Sequence, residues 1–322
     1  SIRIQFRFSG QHGGTFDQCS LLSRPAWTDY LREKFDAEFD PMKTCNRSYS
    51  TWSELSTDGR VLLTEHRPEQ AKCRARAILF KSEFKTKQGE WHEINEEFVF
   101  ENDIVEVDCN INEVTVYNFL HTQVWRQKND ESMTAQTRVN DAERKRPSVH
   151  IIVLDSIGAS HGRRIFNRTN RFLKEEFGAV EMQHMTKVGE NSRPIAIAFT
   201  FGKVIGNIKR DMFGLPSIPP DWNYKQHCKS YLDDEGFILK DFEKSGYQTM
   251  WAEDYSNACI FNFPGCHGFQ KPQTSDFFRP FQIRLDGGGK AMKGSMGKGN
   301  CFESHLFIND YHEKFIKAYP GM

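Results

Sequence analysis

The sequence predicts an α/β fold with a mostly parallel sheet in its second half, preceded by a smaller, cysteine-containing module rich in β-strands. Three observations lead to this prediction. SVHIIVLDS, at residues 148–156, is a continuous apolar run ending in a carboxylate, which is typical of a strand buried on both faces. After it, strand-like and helix-like stretches alternate, which indicates parallel strands joined by helical crossovers. Four of the eight cysteines lie in the first 125 residues, among strand-like stretches.

Residues 1–125 form the predicted front module. FVFENDIVEVDC, which ends at Cys109, alternates well enough for a half-buried strand, and NEVTVYNFLHTQVW after it resembles a further strand or two. Residues 126–147 are polar and charged without apolar periodicity, so they are predicted to be a linker. Residues 148–322 form the predicted α/β domain.

The α/β domain is expected to start with a strand at 149–154 and to continue with a helix over roughly 162–177. Apolar residues recur along this helix, and Gly178 is a typical helix end. A second strand is expected at 179–185. A loop containing Ser192 follows, then a short apolar helix that starts near Pro194.

The second half of this domain continues the alternation. The proline-rich loop LPSIPPDW separates the short apolar helix from a helix that ends near Gly246. GYQTMWAED, at 246–254, is the next expected strand, and it ends at Asp254. The two parts of the chain therefore have different expected architectures.

Charge and hydropathy exclude two classes of protein. Lys plus Arg and Asp plus Glu are both 43, so the formal net charge is zero, whereas a nucleic-acid-binding chain would show a clustered basic excess. No run of about 18 apolar residues occurs, so no transmembrane segment is expected. The sequence opens on Ser1 without a signal peptide, which indicates a fragment or an already trimmed chain.

The cysteines indicate an oxidising compartment. They are widely spread without a CxxC pair, which favours disulfides over a zinc ribbon or a thioredoxin-like site. These residues are Cys19, Cys45, Cys73, Cys109, Cys228, Cys259, Cys266 and Cys301. Sequons at Asn46 and Asn167 would accept N-linked glycans in a secretory setting. Together these features predict an extracellular or luminal glycoprotein.

Two residues carry the candidate chemistry. Asp155 follows a predicted parallel strand, and such sheets bind ligands beyond the carboxyl ends of their strands. It is therefore a candidate metal ligand, with a turn-forming residue as the alternative. Ser192 precedes a predicted helix, where it is a candidate nucleophile or alternatively an N-cap. Both interpretations of Ser192 are compatible, because a helix N-terminus also stabilises an alkoxide or an oxyanion.

Three other motifs do not predict a clear functional site. The glycine- and lysine-rich stretch at 287–299 is not a phosphate loop, because neither Gly-Lys pair is followed by Ser or Thr, so a flexible surface loop is expected. Cys259, Cys266 and His267 match no standard zinc spacing, so both cysteines are expected in disulfides. Asp254 is a second candidate for the crevice, with a loop carboxylate as the alternative.

Several stretches, in order, resemble a known family. They are SVHIIVLDS, RFLKEEFGAVEM, KVGENSRP, GYQTMWAED, GFQKPQTSDFFRPF and the terminal CFESHLFINDYHEKFIKAY. With the spaced cysteines of the front module, they are similar to the animal family called domain of unknown function 229, a branch of the alkaline-phosphatase-like and sulfatase-like superfamily. The resemblance covers nearly the whole chain. It implies that 148–322 form part of an alkaline-phosphatase-like α/β/α sandwich.

The resemblance also implies roles for the two candidate residues. In that superfamily a strand-end aspartate binds a divalent metal, and a hydroxyl group or modified cysteine at a helix start attacks phosphorus or sulfur. Asp155 is then the metal ligand, with zinc as the expected metal, and Ser192 is the nucleophile acting on a small-molecule or glycan ester. Relatives carry Thr-x-Pro-Asn at the nucleophile. Here Ser192 keeps the hydroxyl, whereas Ile195 removes an amide that could stabilise an oxyanion.

The superfamily's remaining metal ligands lie further downstream and include an Asp-His pair, a dipeptide that this sequence lacks. The resemblance therefore implies the front portion of such a protein, or a degenerate member. The first hypothesis is a secreted, metal-dependent phosphate- or sulfate-ester hydrolase by ancestry. No activity is expected from this chain, because a two-metal clamp needs ligands from several strands. The alternative is a non-catalytic extracellular binding or structural module. Neither hypothesis specifies an oligomeric state.

Overall fold

The computed structural model describes residues 25–95, 97–125, 147–182, 185–255 and 260–319. The chain divides into two units, one made of Ser1–Phe39 with Ile152–Thr186 and a larger one made of Asp40–Ile151 with Lys187–Met322. The predicted linker at 126–147, apart from its last residue, lies outside the described residues. Helices and strands both occur, so the prediction of a mixed α/β protein is confirmed.

An antiparallel sheet forms the centre of the larger unit. Its strands are β3 Lys72–Ser82, β4 Lys85–Gln88, β5 His92–Glu93, β6 Ile104–Ile111 and β7 Val114–Thr122. They pair in the order β4-β3-β6-β7, with β5 also paired to β3. A separate antiparallel pair joins β1 Ser53–Leu55 to β2 Val61–Leu63. The strands predicted around residues 98–125 are therefore confirmed as β6 and β7.

Strand β6 is more deeply buried than its alternating sequence predicts. Ile104–Cys109 are all buried, which means that both faces of this strand are covered. One core includes sheet residues such as Val105 and Tyr117 together with Phe281, Met292 and Tyr311 from the C-terminal helices. Residues from both ends of the larger unit therefore share one hydrophobic core.

The C-terminal helices that complete this core are α7 Arg279–Asp286, α8 Lys290–Ser295 and α9 Ser304–Ala318, with a 3-10 turn at Lys298–Asn300. The expectation of a flexible surface loop at 287–299 is wrong, because α8 lies within this stretch. Met292 and Met296 are almost fully buried against the sheet, so two apolar side chains anchor a glycine-rich stretch.

Three disulfides confirm the prediction that the cysteines form disulfides. They join Cys45 to Cys301, Cys73 to Cys109 and Cys228 to Cys266. Cys73 and Cys109 are directly opposite in the register of β3 and β6. Cys266 is thus a disulfide partner, as expected, whereas Cys19 and Cys259 lie outside the described residues.

A second core in the larger unit surrounds α4 Ser192–Phe201. The other elements in this region are α5 Tyr224–Cys228, α6 Ile238–Lys244 and a 3-10 turn at Asp211–Phe213. The core is mainly aromatic, and the rings of Phe201, Phe237, Phe261 and Phe269 lie 5.2–6.2 Å apart between centroids. Such contacts fix the orientation of α4.

A mostly parallel sheet is not confirmed. Across the described residues, the parallel pairing is between β8 Met250–Trp251 and β9 Asp276–Phe277, two residues each. The buried strand predicted at 149–154 is wrong, because this segment pairs with no strand among the described residues and its five apolar side chains are 50–74% exposed. The second strand expected at 179–185 is not present in its described residues, 179–182 and 185.

The smaller unit is helical in its described part. Its helices are α1 Asp29–Lys34, α2 Ala159–Ile165 and α3 Asn167–Phe177. The single helix predicted at 162–177 is divided at Phe166, and Gly178 ends α3 in a left-handed conformation with φ of 62°, as predicted. None of the described helices is both long and apolar enough to cross a bilayer.

Candidate functional site

Ser192 is the first residue of α4, close to the predicted helix start. Asn191 directly before it has a φ of 72° and is the N-cap residue, although its side chain makes no capping hydrogen bond. Ser192 is therefore the first helical residue, one position after the N-cap. Ser192 is partly buried, and its hydroxyl belongs to the first turn, where the helix dipole favours negative charge.

Arg193 anchors this first turn. Its guanidinium is buried, and Nη1 donates hydrogen bonds to the carbonyl oxygens of Phe261 at 2.5 Å and Phe263 at 3.1 Å. The same group lies 5.5 Å from the ring centroid of Tyr224. Burial lowers the pKa of Arg193. The backbone at Ser192 is thus held in place by a buried cation bonded to neutral carbonyls.

Asp155 has a different environment. It is exposed, and its Oδ1 accepts a hydrogen bond of 2.7 Å from the backbone N–H of Ser156, which has a φ of 58°. Asp155 and Ser156 both lie in a turn. Asp155 belongs to the smaller unit and Ser192 to the larger one, so no single unit contains both predicted site residues.

The donor set does not fit a divalent metal in the part of the chain that the structure describes. No group of three or more His, Cys, Asp or Glu residues is placed to hold an ion there. Zinc sites need three or four such ligands, and a two-metal site needs more. Asp155 and Ser192 alone do not supply these ligands.

Asp254, the second candidate, lies exposed beyond the short strand β8. Its neighbour Glu253 is better integrated, because its Oε1 accepts a hydrogen bond from Trp251 Nε1 at 2.7 Å and its Oε2 accepts one from Ile260 N at 2.9 Å. Sequence reasoning selected the strand-end aspartate and missed this glutamate. The partner Ile260 follows in a loop that carries no recognisable motif.

A buried ion pair that the sequence did not indicate lies near Glu253. Glu83, at the turn between β3 and β4, is 5% exposed. Its Oε2 lies 3.3 Å from Nε of Arg279, and Nε of Arg279 also donates to the Glu83 carbonyl oxygen at 3.0 Å. The backbone N–H of Phe269 donates a hydrogen bond of 3.4 Å to Glu83 Oε1. The Glu83 carboxylate therefore links the β3–β4 turn to α7 and to the aromatic core.

The protonation of Glu83 is unusual. Burial raises the pKa of Glu83 to about 7, against the opposing charge of Arg279 and with the support of the negative charges of Glu253 and Asp233. A carboxyl group of this kind changes charge near neutral pH, and such groups occur both in active sites and in structural networks.

The space beside Glu83 favours a place in a structural network over a place in an active site. It is a narrow cleft lined by both glutamates, Arg279, Gln273 and five aromatic side chains, with about 10 Å³ of room. A water molecule needs roughly 10–15 Å³ by this measure. Gln273 Oε1 is buried there without a hydrogen-bond partner among the described residues. The cleft therefore suits one water rather than a substrate.

A second buried carboxylate lies within the sheet. Glu106 is fully buried, and it accepts hydrogen bonds from Arg284 Nη2 at 2.5 Å, Asn118 Nδ2 at 2.8 Å and Arg76 Nε at 2.9 Å. Burial alone would raise its pKa, but the hydrogen bonds from Arg284 and Asn118 and the charges of Arg284 and Arg76 lower it. This network ties β3, β6 and β7 to α7.

Comparison with known proteins identifies a family but no characterised relative. The family model described as protein of unknown function (DUF229) matches residues 38–322. No curated protein matches the chain, and no solved structure matches it.

Proposed function

This chain belongs to the DUF229 family of unknown function, and from that premise we propose that it is an extracellular protein of the alkaline-phosphatase-like and sulfatase-like superfamily. Ser192 occupies the nucleophile position, and Asp155 occupies the position of a metal ligand. The partial α/β/α sandwich with a mostly parallel sheet remains part of this proposal. The support is the order of the family-like stretches along the sequence, together with the position of Ser192 in the fold.

The placement of Ser192 is the observation that carries the proposal. A partly buried serine at the first position of a ten-residue helix faces the positive end of the helix dipole. Arg193 fixes that turn through two carbonyl oxygens. An ester oxyanion next to Ser192 would meet backbone N–H groups of the first turn, although Pro194 contributes none. These residues can bind and orient an anionic ester.

We further propose that this chain does not by itself turn over esters. A serine hydroxyl needs a metal or a neighbouring base to become a nucleophile at neutral pH. The metal of the superfamily would supply that activation, but the donor groups of the described residues do not fit it. The chain's own residues therefore support binding and positioning, and no reaction step is assigned to them.

Kinetics with a matched variant test this proposal. The purified chain, supplied with Zn²⁺, is assayed on p-nitrophenyl phosphate and p-nitrophenyl sulfate beside Ser192→Ala and Ser304→Ala. Ser304 is the matched control because it also begins a helix, α9. We expect no turnover above buffer for any of the three. Zinc-dependent turnover that is lost in Ser192→Ala and kept in Ser304→Ala would establish an active hydrolase instead.

A non-catalytic binding module is the second candidate function. It is favoured by large apolar side chains that are exposed in the smaller unit. Ile152, Phe177, Val180 and Met182 are each more than 70% exposed, and this candidate function requires that such side chains form one interaction surface. If this candidate is correct, replacing Phe177 and Val180 by Ser should leave the fold intact. The same change should reduce self-association of the purified chain, measured by sedimentation.

The extracellular location has its own test. Three disulfides are consistent with a secreted protein, since such bonds persist in oxidising compartments. Mass spectrometry of alkylated protein from animal cells is expected to find Cys45, Cys73 and Cys228 unmodified unless a reductant is added first. Free thiols at these positions would contradict the extracellular location.

A further inference from the structure

We propose that Asn46 carries an N-linked glycan and that Asn167, in the other sequon, does not. The inference rests on the proposed extracellular location and adds a modification site to it. Both asparagines are exposed, so access alone does not distinguish them. The distinction comes from the geometry of the two sequons.

The Asn46 sequon is pre-arranged for recognition. Oδ1 of Asn46 accepts a hydrogen bond from Ser48 Oγ at 2.8 Å and another from Ser48 N at 3.1 Å. The motif requires a hydroxyl two residues after the asparagine. In this turn the amide and the hydroxyl already touch, and Asn46, Arg47 and Ser48 are all exposed.

A backbone hydrogen bond and a disulfide hold the turn that contains Asn46 in place. The backbone N–H of Asn46 donates a hydrogen bond of 2.7 Å to the carbonyl oxygen of Gly299, and Cys45 is bonded to Cys301. Nη2 of Arg47 lies 3.5 Å from Oδ2 of Asp40. A glycan at this position therefore extends into solvent without displacing a buried contact.

The Asn167 sequon has the opposite geometry. Asn167 is the first residue of α3, and Thr169 lies in the same helical turn. Side chains at positions i and i+2 of a helix do not face each other, so the amide and the hydroxyl point in different directions. Recognition there would require the first turn of α3 to unwind.

The transfer reaction balances with one co-reactant, a lipid-linked oligosaccharide diphosphate. Nδ2 of Asn46 forms a bond to the first carbon of the sugar and gives up one proton. The bond between that carbon and the diphosphate oxygen breaks, and the lipid diphosphate leaves with the electron pair. No oxidant or metal redox step is involved.

Glycan mapping tests the proposal on the full chain secreted from animal cells. An amidase that releases N-glycans converts each occupied asparagine to aspartate, which peptide mass spectrometry locates. We expect one glycan, at Asn46, that is lost in Asn46→Gln and Ser48→Ala, kept in Ser48→Thr and unchanged in Asn167→Gln. Because these side chains are exposed, the variants are expected to fold.

Two outcomes would overturn the assignment: occupancy at Asn167, with or without Asn46, or no glycan at either position. Disulfide mapping on the same sample separates this failure from failure of the proposed location. Oxidised cysteines without a glycan at Asn46 would reject the glycan site and leave the extracellular proposal standing. Free cysteines without a glycan would reject both.

Discussion

Glu106→Ala is expected to lower the free energy of unfolding by about 3–5 kcal/mol, the range for removing one partner of a buried ion pair. The substitution leaves the side chains of Arg76 and Arg284, only 13% and 19% exposed, without their shared carboxylate. Asn118 also loses the acceptor of its side-chain N–H. Urea unfolding at pH 7, followed by circular dichroism, measures the change.

Two controls identify the cause of that loss. Replacing the three charged members of the network, as Arg76→Met, Glu106→Leu and Arg284→Met together, should recover most of the stability, because no buried charge then lacks a partner and only the Asn118 side chain still lacks its acceptor. Lys244→Ala breaks an exposed pair with Asp241 and should cost less than about 1 kcal/mol. A Glu106→Ala loss no larger than that of Lys244→Ala would show that water still reaches the arginines.

Local features of this fold could be predicted from the sequence because they depend on near neighbours. The strand β6 shows in its alternation, and the end of α3 shows in Gly178, whose left-handed conformation suits glycine. The prediction of a strand at 149–154 is wrong because strand formation depends on residues that are distant in the sequence. The β-branched run of this segment favours a strand, but a strand needs neighbours to pair with, and the described residues provide none for it.

In the candidate site too, local features could be predicted from the sequence and long-range contacts could not. The helix start at Ser192 follows from the local pattern of a loop, a proline and an apolar run. The pairing of Glu83 with Arg279 joins residues 196 positions apart. Glu83 lies in a two-residue turn between two lysine-containing strands, a setting typical of a solvated surface. Its burial depends on the packing of α7 and the aromatic core.

Glu83 should make the stability of the larger unit depend on pH between about 4.5 and 8. Its pKa is raised from 4.5 to about 7, so the folded chain holds this proton more tightly than the unfolded chain. The stabilisation is fully present below pH 4.5 and is lost as the pH rises through 7. At about 1.4 kcal/mol per pKa unit, the loss is about 3.5 kcal/mol. Glutamine resembles the protonated acid, so Glu83→Gln should match the parent near pH 4.5 and exceed its stability near pH 8.

The difference between the two unfolding curves isolates Glu83, since other buried groups titrate in both proteins. Burial lowers the pKa of His121 to about 3, for example, which produces a stability change of the opposite sign in acid. Glu106→Gln is the matched control, because the pKa of Glu106 is lowered in the folded chain. The stabilisation from Glu106 is present at pH values above its unfolded-state pKa, and it is lost as the pH falls into the acid range. The advantage of Glu83→Gln must therefore grow with pH, while Glu106→Gln must be most harmful at neutral pH. A constant difference between Glu83→Gln and the parent from pH 4.5 to 8 would mean that Arg279 keeps Glu83 ionised throughout.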